Sequence, residues 1–403
     1  MKEIIDKYMV GLGYQDTADF AEELFRNSWS RGYARWRVLK EVIQEQGWDL
    51  STEEGYGKFL NYYRMIFNMS QATDMAAQQM GIEQISDIQT VGKVFQHIWH
   101  HIFLVPTEIV EETPDRTVLR SLWCGNPAFG PEPFGAKDCI ANFHEYYRLV
   151  DGGLTRDLGL GGTIEEAKKR GLSEETEFEM PWMMCRDGDV PYCLYVLKKK
   201  GTPDYPLPTL SDREKSYFIE HKIGQSGEKT MNYVSKLLGK SIEEVTFGIL
   251  VLYVMLDTGG YIPAEITFNA DKAQQMYNKY WLSFLEKWFR DAKFELEIGK
   301  VATLRELADI IAYCERKKFI PYQLEDQGSR IVLTAKDDPF AEVSTQFLGM
   351  PIGFGYLDAI AAADDAFLNK IVEESKMQGR ARVTGTKRLV KGDDCNEIVL
   401  EEI

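Results

Sequence analysis

A hairpin-like pattern occurs twice in this sequence, and it constrains the fold more than any other feature. The first copy lies in residues 184–197 and the second in residues 388–400. Each copy has a strand-like lead-in, a Gly-Asp turn, a cysteine shortly after the turn (Cys193 or Cys395) and an alternating apolar exit. Gly-Asp between two β-rich runs is typical of a hairpin turn. The pattern therefore predicts two hairpins, each with a cysteine where its exit strand begins.

Three further matches precede the hairpins in the same order, which indicates an internal repeat. Residues 80–89 resemble residues 298–307, residues 103–106 resemble residues 319–321, and residues 118–129 resemble residues 332–340. Self-similarity in one order along a chain is the signature of a tandem duplication. A chance likeness between two units that both run from helix to sheet is the alternative.

The apolar periods predict an α+β fold made of two tandem modules. Each module has a helical lead-in followed by a small antiparallel sheet, and we expect the two to pack as an internal pseudo-dimer. A run of lysines and then three prolines divides them, since prolines exclude helix and central sheet. We place the first module at residues 1–200, the linker at 201–208 and the second module at 209–403.

The acidic composition limits the partners of this chain. It has 403 residues with a formal net charge of −16 and a pI of about 5.0. Contact with nucleic acid needs a basic face on the protein, and an anionic membrane repels a protein with an excess of negative charge. We therefore expect neither nucleic acid nor membrane as a partner, while a homo-oligomer stays open.

The cysteines and the apolar segments indicate a cytoplasmic protein. The N-terminus has acidic residues and no apolar core, unlike a secretory signal peptide. The longest apolar run, residues 247–256, is about half of the ~20 residues that span a bilayer, which predicts a buried helix. The six cysteines show no Cys-x-x-Cys or zinc-ribbon spacing. Reduced thiols are then the default state.

The Gly-Asp-Val-Pro-Tyr-Cys motif of residues 188–193 resembles a hairpin found in known families. It is similar to the one that ends the sheet of 4-vinyl reductase-type domains and of L-2-amino-thiazoline-4-carboxylate hydrolase-like proteins. The aromatic helical segment of residues 25–36 is similar to their lead-in, whereas residues 392–395 lack the Pro-Tyr pair. The resemblance implies small α+β domains that act either as hydrolases or as ligand-binding sensors.

The two halves differ in the residues that can carry chemistry, which favours the first half as the active one. It has Cys124 at a predicted strand end and His144 on a predicted helix, where the second half has an Ala/Asp-rich segment. A thiol nucleophile needs a base, and His144 is the imidazole available to Cys124. The proposed substrate-binding residues around this catalytic pair are Trp123, Asn126, Cys139 and Cys185.

Structural roles and metal binding are the alternatives for these residues. Each cysteine alone is compatible with plain packing, because free cysteine is among the most buried residue types. Cys139 and His144 are five residues apart, about 140° around a helix, which suits a shared metal ion poorly. His97 and His101 have two-ligand spacing, but residues 313–319 carry cations at the equivalent helix end, which favours a dipole-related role. We expect no metal and no cofactor.

The hypothesis for function is an enzyme that acts on a small, cyclic organic substrate. Hydrolytic ring opening is the reaction that the resemblance implies, and the glycine-rich residues 152–162 would close over the substrate as a lid. A non-catalytic small-molecule-binding or sensor protein on the same fold is the alternative. A scaffold subunit without an enclosed pocket is the third class.

Overall fold

The predicted α+β class is confirmed by a computed structural model of the chain. It describes residues 1–67, 69–123, 160–184, 190–212, 214 and 229–403, apart from the side chains of residues 29, 32, 33, 36 and 67. In these residues, two separate four-stranded antiparallel sheets combine with helices that precede and flank them.

Helices form the first hundred residues, as their apolar period predicts. Asp16 caps the second helix by accepting hydrogen bonds from the backbone N–H groups of Ala18 (2.8 Å) and Asp19 (3.3 Å). Such a cap stabilises a helix by about 1 kcal/mol. The fifth helix continues as a π-helix, Ile98–Ile102, that leads towards the first sheet. The helices are α1 (Lys2–Leu12), α2 (Thr17–Glu45), α3 (Glu53–Phe67), α4 (Met69–Gln79) and α5 (Ile88–His97).

The first sheet consists of two hairpins that pair through their second strands. The first hairpin turns at Pro114 and Asp115, and a short helix, α6 (Gly161–Lys168), precedes the second. The strand order is β1-β2-β4-β3, with α5 packed on β1, β2 and β4. The strands are β1 (Thr107–Glu112), β2 (Arg116–Ser121), β3 (Thr176–Trp182) and β4 (Cys193–Lys199).

The second half repeats this arrangement after a longer run of helices. The helices before its sheet are α7 (Thr230–Leu238), α8 (Ile242–Thr258), α9 (Ile262–Thr267), α10 (Ala270–Glu295) and α11 (Leu304–Arg316). The strands are β5 (Gln323–Asp326), β6 (Arg330–Ala335), β7 (Ala381–Lys387) and β8 (Asn396–Glu402). Between β6 and β7 lie α12 (Pro339–Gln346) and α13 (Gly355–Glu374). The strand order is β5-β6-β8-β7, and α11 packs on β5, β6 and β8.

The two sheets agree in register as well as in strand order. Val118 pairs with Val196 in the first sheet, and Val332 pairs with Val399 in the second. The register of the last hairpin shifts by one residue at the same place in both sheets, before Trp182 and before Lys387. A bulge that recurs at the same place in both sheets is a specific feature of the fold and not a local irregularity.

Two backbone details also recur at equivalent places. Leu104 and Phe319 adopt left-handed backbone conformations (φ 56° and 65°), each two residues before a proline. The positive φ is costly for a residue with a side chain, so its recurrence marks a turn that both halves require. The backbone N–H of Met184 donates to Cys193 Sγ (3.4 Å), and that of Leu389 donates to Asn396 Oδ1 (2.7 Å).

Cys193 and Cys395 lie at the strand starts as predicted, but they are not equivalent residues. Cys193 pairs with Ser121 at the start of β4, and the residue in the same place of the second sheet is Asn396, which pairs with Ala335. Cys395 precedes Asn396 by one residue. Because side chains alternate along a strand, the two cysteines belong to opposite faces of their sheets.

The largest hydrophobic core takes side chains from both sides of residues 201–208. Helix α2 packs on α7, α8 and α10, and Phe25 lies in one core with Leu250 and Trp281. A smaller core lies between α4, α5, α6 and the first sheet. Residues 201–208 have no regular secondary structure and are mostly exposed, although Tyr205 covers the outer face of the first sheet.

One helical stretch, Ile242–Thr267, is long and apolar enough by composition to cross a membrane. However, 72% of its most apolar window is buried inside the protein. In the part of the chain that the structure describes, no second stretch of this kind occurs. We therefore assign Ile242–Thr267 to the core, as the short apolar run predicted.

Candidate functional site

The sequence-predicted site lies largely outside the described residues. Cys124, Asn126, Cys139, His144 and Cys185 are all in this group, so their predicted roles stay predictions. Trp123 is described and is only 2% exposed. Its ring centroid lies 5.3 Å from that of Phe25, in the larger core.

The predicted glycine-rich lid is described only at its end. Gly161 and Gly162 are buried in the first turn of α6 rather than in a loop. A Cβ atom added to Gly162 would lie 3.2 Å from Met69 Cγ, so a small residue lets α6 approach α4 closely. The lid hypothesis is therefore wrong for these two residues, and residues 152–159 lie outside the described part.

The thiols and imidazoles that the structure describes do not form a catalytic pair. Cys193, Cys314 and Cys395 are free and buried, and burial raises the pKa of the Cys314 and Cys395 thiols. The rings of His97 and His101 lie with centroids 4.5 Å apart at an angle of 49°. Burial and then the charge of nearby Lys240 lower the pKa of His101 to about 4. Among the described residues, no three His, Cys, Asp or Glu side chains converge as metal ligands.

A cluster of buried charged residues in the second half has the geometry of a functional site. It surrounds a cavity between α10, α11, α13 and the second sheet, which we call the Lys318 cavity. About 20 Å³ of space is enclosed, enough for one water molecule. Its apolar wall consists of Trp281, Phe340 and Ile360. Its polar lining consists of Lys318, Tyr322, Asp338, Asp364, Arg388 and Asn396.

Local structure brings Lys318 into this cluster. Thr303 and Glu306 form a capping box that starts α11, and the buried face of that helix ends at Glu315. The left-handed residue Phe319 then turns the chain towards the sheet. Lys318 Nζ donates to Glu315 Oε1 and to Asp364 Oδ1, both at 2.6 Å. The dipole-related role predicted for the cations at this helix end does not account for Lys318, which is only 4% exposed and pairs with two carboxylates.

Arg388 brings a second buried cation to the same carboxylate. Its Nη2 lies 2.9 Å from Asp364 Oδ2 and 2.7 Å from Asp365 Oδ1. The guanidinium lies directly against the backbone of Gly385, where an added Cβ would be 1.8 Å from Nη2. Glycine is thus required in β7 for Arg388 to reach the cavity.

Asp338 and Asn396 complete the polar lining. Asp338 Oδ1 accepts hydrogen bonds from the backbone N–H groups of Phe340 (2.8 Å) and Ala341 (3.3 Å), at the start of α12. Its Oδ2 accepts from Asn396 Nδ2 at 2.7 Å. Burial raises the pKa of Asp338 above its ordinary value.

The cluster contains one carboxyl group that titrates near neutral pH. Burial and then the charge of Asp364 raise the pKa of Glu315 to about 8. Burial opposes ionisation of Asp364 too, but Lys318 and Arg388 lower its pKa below the ordinary value. Glu315 can therefore donate or accept a proton near pH 8, which is the property of a general acid or base.

Two buried polar atoms of the cluster have no hydrogen-bond partner among the described residues. They are Glu315 Oε2 and Arg388 Nε. Such atoms are costly to bury and mark places where water or a ligand completes the bonding. The arrangement can hold a water molecule or a small polar group beside a titratable carboxyl.

The sequence carried little signal for this cluster. Glu315 and Lys318 lie in a run of charges that resembles an ordinary helix end, and Asp364 lies in the Ala/Asp-rich segment that predicted a scaffold. The one sequence signal for a buried Glu315 was the helical spacing of the apolar residues in α11. This spacing places Glu315 on the same face as Leu307 and Ile311. A charged residue on a buried face has to be paired.

Comparisons with known proteins do not assign this site. No family model, no curated protein and no solved structure matches the chain.

Proposed function

We propose that this chain is an enzyme that opens the ring of a small, cyclic organic substrate by hydrolysis. We also propose that it consists of two tandem modules packed as an internal pseudo-dimer. The shared strand order, register, bulge position and left-handed turn support the duplication. The same proposal places the protein in the cytoplasm, where its six cysteines stay reduced.

One observation carries the functional proposal: three residues that line the Lys318 cavity align with three cysteines of the first half. The alignment follows from the shared strand register, continued along the sequence from the ends of β2 and β6, and of β3 and β7. The aligned pairs are Cys124 with Asp338, Cys185 with Val390, and Cys193 with Asn396. At two of these three positions, both halves therefore have a polar or reactive side chain.

The proposed reaction uses the thiol of Cys124 with His144 as its base. The thiolate adds to the ring carbon, the bond from that carbon to the ring heteroatom breaks, and His144 protonates the leaving heteroatom. Water then displaces the thiol, so that the net reaction adds one water molecule. The proposed substrate contacts are Trp123, Asn126, Cys139 and Cys185.

A non-catalytic small-molecule-binding protein is the second candidate function. The observation that favours it is the pairing within the Lys318 cavity, where both cations already contact carboxylates. With room for about one water-sized group, this cavity could take only a polar substituent of a ligand, bonded to Glu315 Oε2 or Arg388 Nε without any covalent step. Such a protein would bind the same cyclic compounds and release them unchanged.

The test measures ring opening of 2-amino-thiazoline-4-carboxylate and related cyclic compounds by chromatography. We expect Cys124→Ser and His144→Ala each to lower kcat by at least ~100-fold, the low end for losing a nucleophile or an acid–base group. Cys395→Ser is the control, since Cys395 lies outside the aligned set. It should keep kcat and lower stability only modestly.

Thermal midpoints of all three variants separate catalytic loss from unfolding, because a buried Cys→Ser change can also destabilise. Folded, fully active Cys124→Ser and His144→Ala variants would overturn the proposed catalytic pair. Ligand-induced stabilisation without turnover would identify the binding protein instead.

A further inference from the structure

A second small cavity lies where helices of the two halves meet, and we call it the Arg35 cavity. It is bounded by α2, α3 and α10 and by the residues that follow α8. It has a volume of about 10 Å³, about the space of one water molecule. It shares no lining residue with the Lys318 cavity, and all of its lining residues are buried. Whatever occupies it is therefore enclosed and separate from the site proposed above.

The side chain of Arg35 forms one wall of this cavity and has an unused hydrogen-bond donor. Arg35 is only 5% exposed. Its Nη1 donates to the backbone oxygen of Leu256, in the last turn of α8. Its Nε has no hydrogen-bond partner in the structure. A buried donor without an acceptor is costly and marks a place where a bound group completes the hydrogen bonding.

Gly259 allows the guanidinium of Arg35 to reach the end of α8. A Cβ atom added to Gly259 would lie 2.7 Å from Arg35 Nη1 and 3.0 Å from the backbone oxygen of Ile66. Only glycine leaves room for the close approach of the guanidinium to this backbone. Packing therefore fixes the charged group beside the cavity.

The positive charge of Arg35 has no carboxylate partner in the described part of the chain. Asp257 is the buried carboxylate of this helix end, but both of its oxygens are already used. They accept hydrogen bonds from Arg31, Tyr277, Tyr280 and Tyr356. Two buried arginines, Arg31 and Arg35, thus share one buried carboxylate. Arginine is rarely buried to this extent without an opposite charge.

The other groups around the cavity do not supply the missing negative charge. The carbonyl end of α8 offers only about half of an elementary charge. Burial raises the pKa of Tyr62 although Arg35 opposes the shift, so the phenol stays neutral. Burial also raises the pKa of Tyr280 well above its ordinary value. An uncompensated buried charge is strongly destabilising, so an anion from solution would stabilise the folded protein.

We propose that the Arg35 cavity binds a single halide ion, which is chloride under ordinary conditions. Arg35 Nε donates a hydrogen bond to the ion, and the guanidinium supplies the opposite charge. Phosphate, sulfate and carboxylic acids are too large for a space of this size, whereas chloride is only slightly larger than water. Water would accept the same hydrogen bond but would leave the charge uncompensated. The ion stabilises the contact of α2 and α3 with the helices of the second half.

The experiment is thermal unfolding of the full-length protein in sodium chloride, sodium bromide or sodium gluconate at equal concentration. Gluconate is too large to enter the cavity. A ion that binds only the folded state raises its unfolding temperature, and we expect a midpoint at least ~2 °C higher in chloride or bromide than in gluconate. Arg35→Met removes the charge at similar side-chain length, so its midpoint should be the same in all three salts.

The matched control is Arg37→Met, which removes an exposed arginine of the same helix. It should keep the full difference between chloride and gluconate. Crystals of the wild-type protein grown in sodium bromide provide a readout that does not depend on the folding of any variant. We expect an anomalous scattering peak at hydrogen-bonding distance from Arg35 Nε.

Three outcomes would overturn the proposal. The first is an equal unfolding midpoint of the wild type in chloride and gluconate. The second is an equal response to chloride in the wild type and in Arg35→Met, which would mean that the ions act on the protein surface. The third is a bromide-grown crystal with no anomalous peak in the Arg35 cavity, which would leave water as its occupant.

Discussion

Glu315 shows how one buried side chain can set the pH response of a protein. It is fully buried beside Lys318 and Asp364, and its pKa lies at about 8 instead of 4.5. The folded protein therefore holds this proton where the unfolded chain has lost it. Between about pH 4.5 and pH 8 the folded state binds more protons at this residue, so the free energy of unfolding falls as pH rises.

Replacing Glu315 with glutamine should remove this part of the pH dependence. Glutamine keeps an oxygen for Lys318 Nζ but cannot ionise. We expect wild-type stability to fall relative to Glu315→Gln from about pH 4.5 to pH 8, with a slope of at most about 1.4 kcal/mol per pH unit. Urea unfolding at several pH values measures this difference. Parallel curves for the two proteins would show that Glu315 is ionised throughout.

At this scale the sequence predicted residue types but not their partners. The second half has an Ala/Asp-rich segment in place of Cys and His, which predicts the first half as the active one, yet Asp338 of the second half lines the cavity with Arg388 and Asn396. Asp338 precedes the other two residues by 50 or more positions along the chain. Sequence spacing gives neighbours along a helix or a strand, whereas contacts between elements depend on packing.

Among the elements, α8 has the largest share in joining the two halves. Its Asp257 is completely buried and accepts hydrogen bonds from the hydroxyls of Tyr280 (3.1 Å), Tyr356 (2.8 Å) and Tyr277. The same carboxylate forms an ion pair with Arg31 of α2. One side chain of α8 thus connects α2, α10 and α13.

Asp257→Asn should destabilise the protein strongly. The substitution keeps the size of the side chain but leaves the guanidinium of Arg31 buried without its counter-charge. Removing one partner of a buried ion pair typically costs about 3–5 kcal/mol. Thermal and urea unfolding measure the loss.

The double variant Arg31→Met with Asp257→Asn is the control, because it removes the stranded charge along with its partner. It should recover part of the lost stability. A single Asp257→Asn variant within about 0.5 kcal/mol of wild type would show that the ion pair does not hold these helices.

Hairpins and helix starts were the elements that the sequence predicted best. The second Gly-Asp turn, the alternating strands and an aspartate before a helical apolar period, such as Asp16, are local signals that coincide with a turn, strands and a helix start. The first Gly-Asp turn, residues 188–189, lies outside the described residues. The neighbouring sequence did not predict which residue pairs with Ser121 in the first sheet or with Ala335 in the second. The one-residue offset between Cys193 and Cys395 came from the register of pairing, which the short turn sequence did not determine.

For the whole molecule, residues 201–208 divide the sequence without dividing the core. We expect a protease site inserted into this exposed segment to be cut, giving two fragments that stay together. Helix α2 packs on α8 and α10, so separation would expose the larger core. Size-exclusion chromatography after cleavage should give one peak at the intact size, and two fragments only in denaturant. Two native peaks would show that each half folds alone.

The proline-rich boundary was predictable from sequence, and the shared core was not. An apolar period tells which face of a helix is buried, but it carries no information about the element that covers that face. From sequence alone, the aromatic residues of α2 were compatible with a core inside the first module and equally with a core shared between both modules. Packing against α8 and α10 resolves the ambiguity.

The shared core also affects how the protein is made on the ribosome. Helix α2 emerges early from the exit tunnel, but α10, against which it packs, ends only at Glu295. At roughly 5–20 residues per second, translation of the intervening chain takes on the order of ten seconds or more. During that interval the buried face of α2, which includes Phe20, Leu24 and Phe25, lacks the later helices that complete its core. We therefore expect the nascent chain to expose apolar surface that chaperones can bind until α10 has been synthesised.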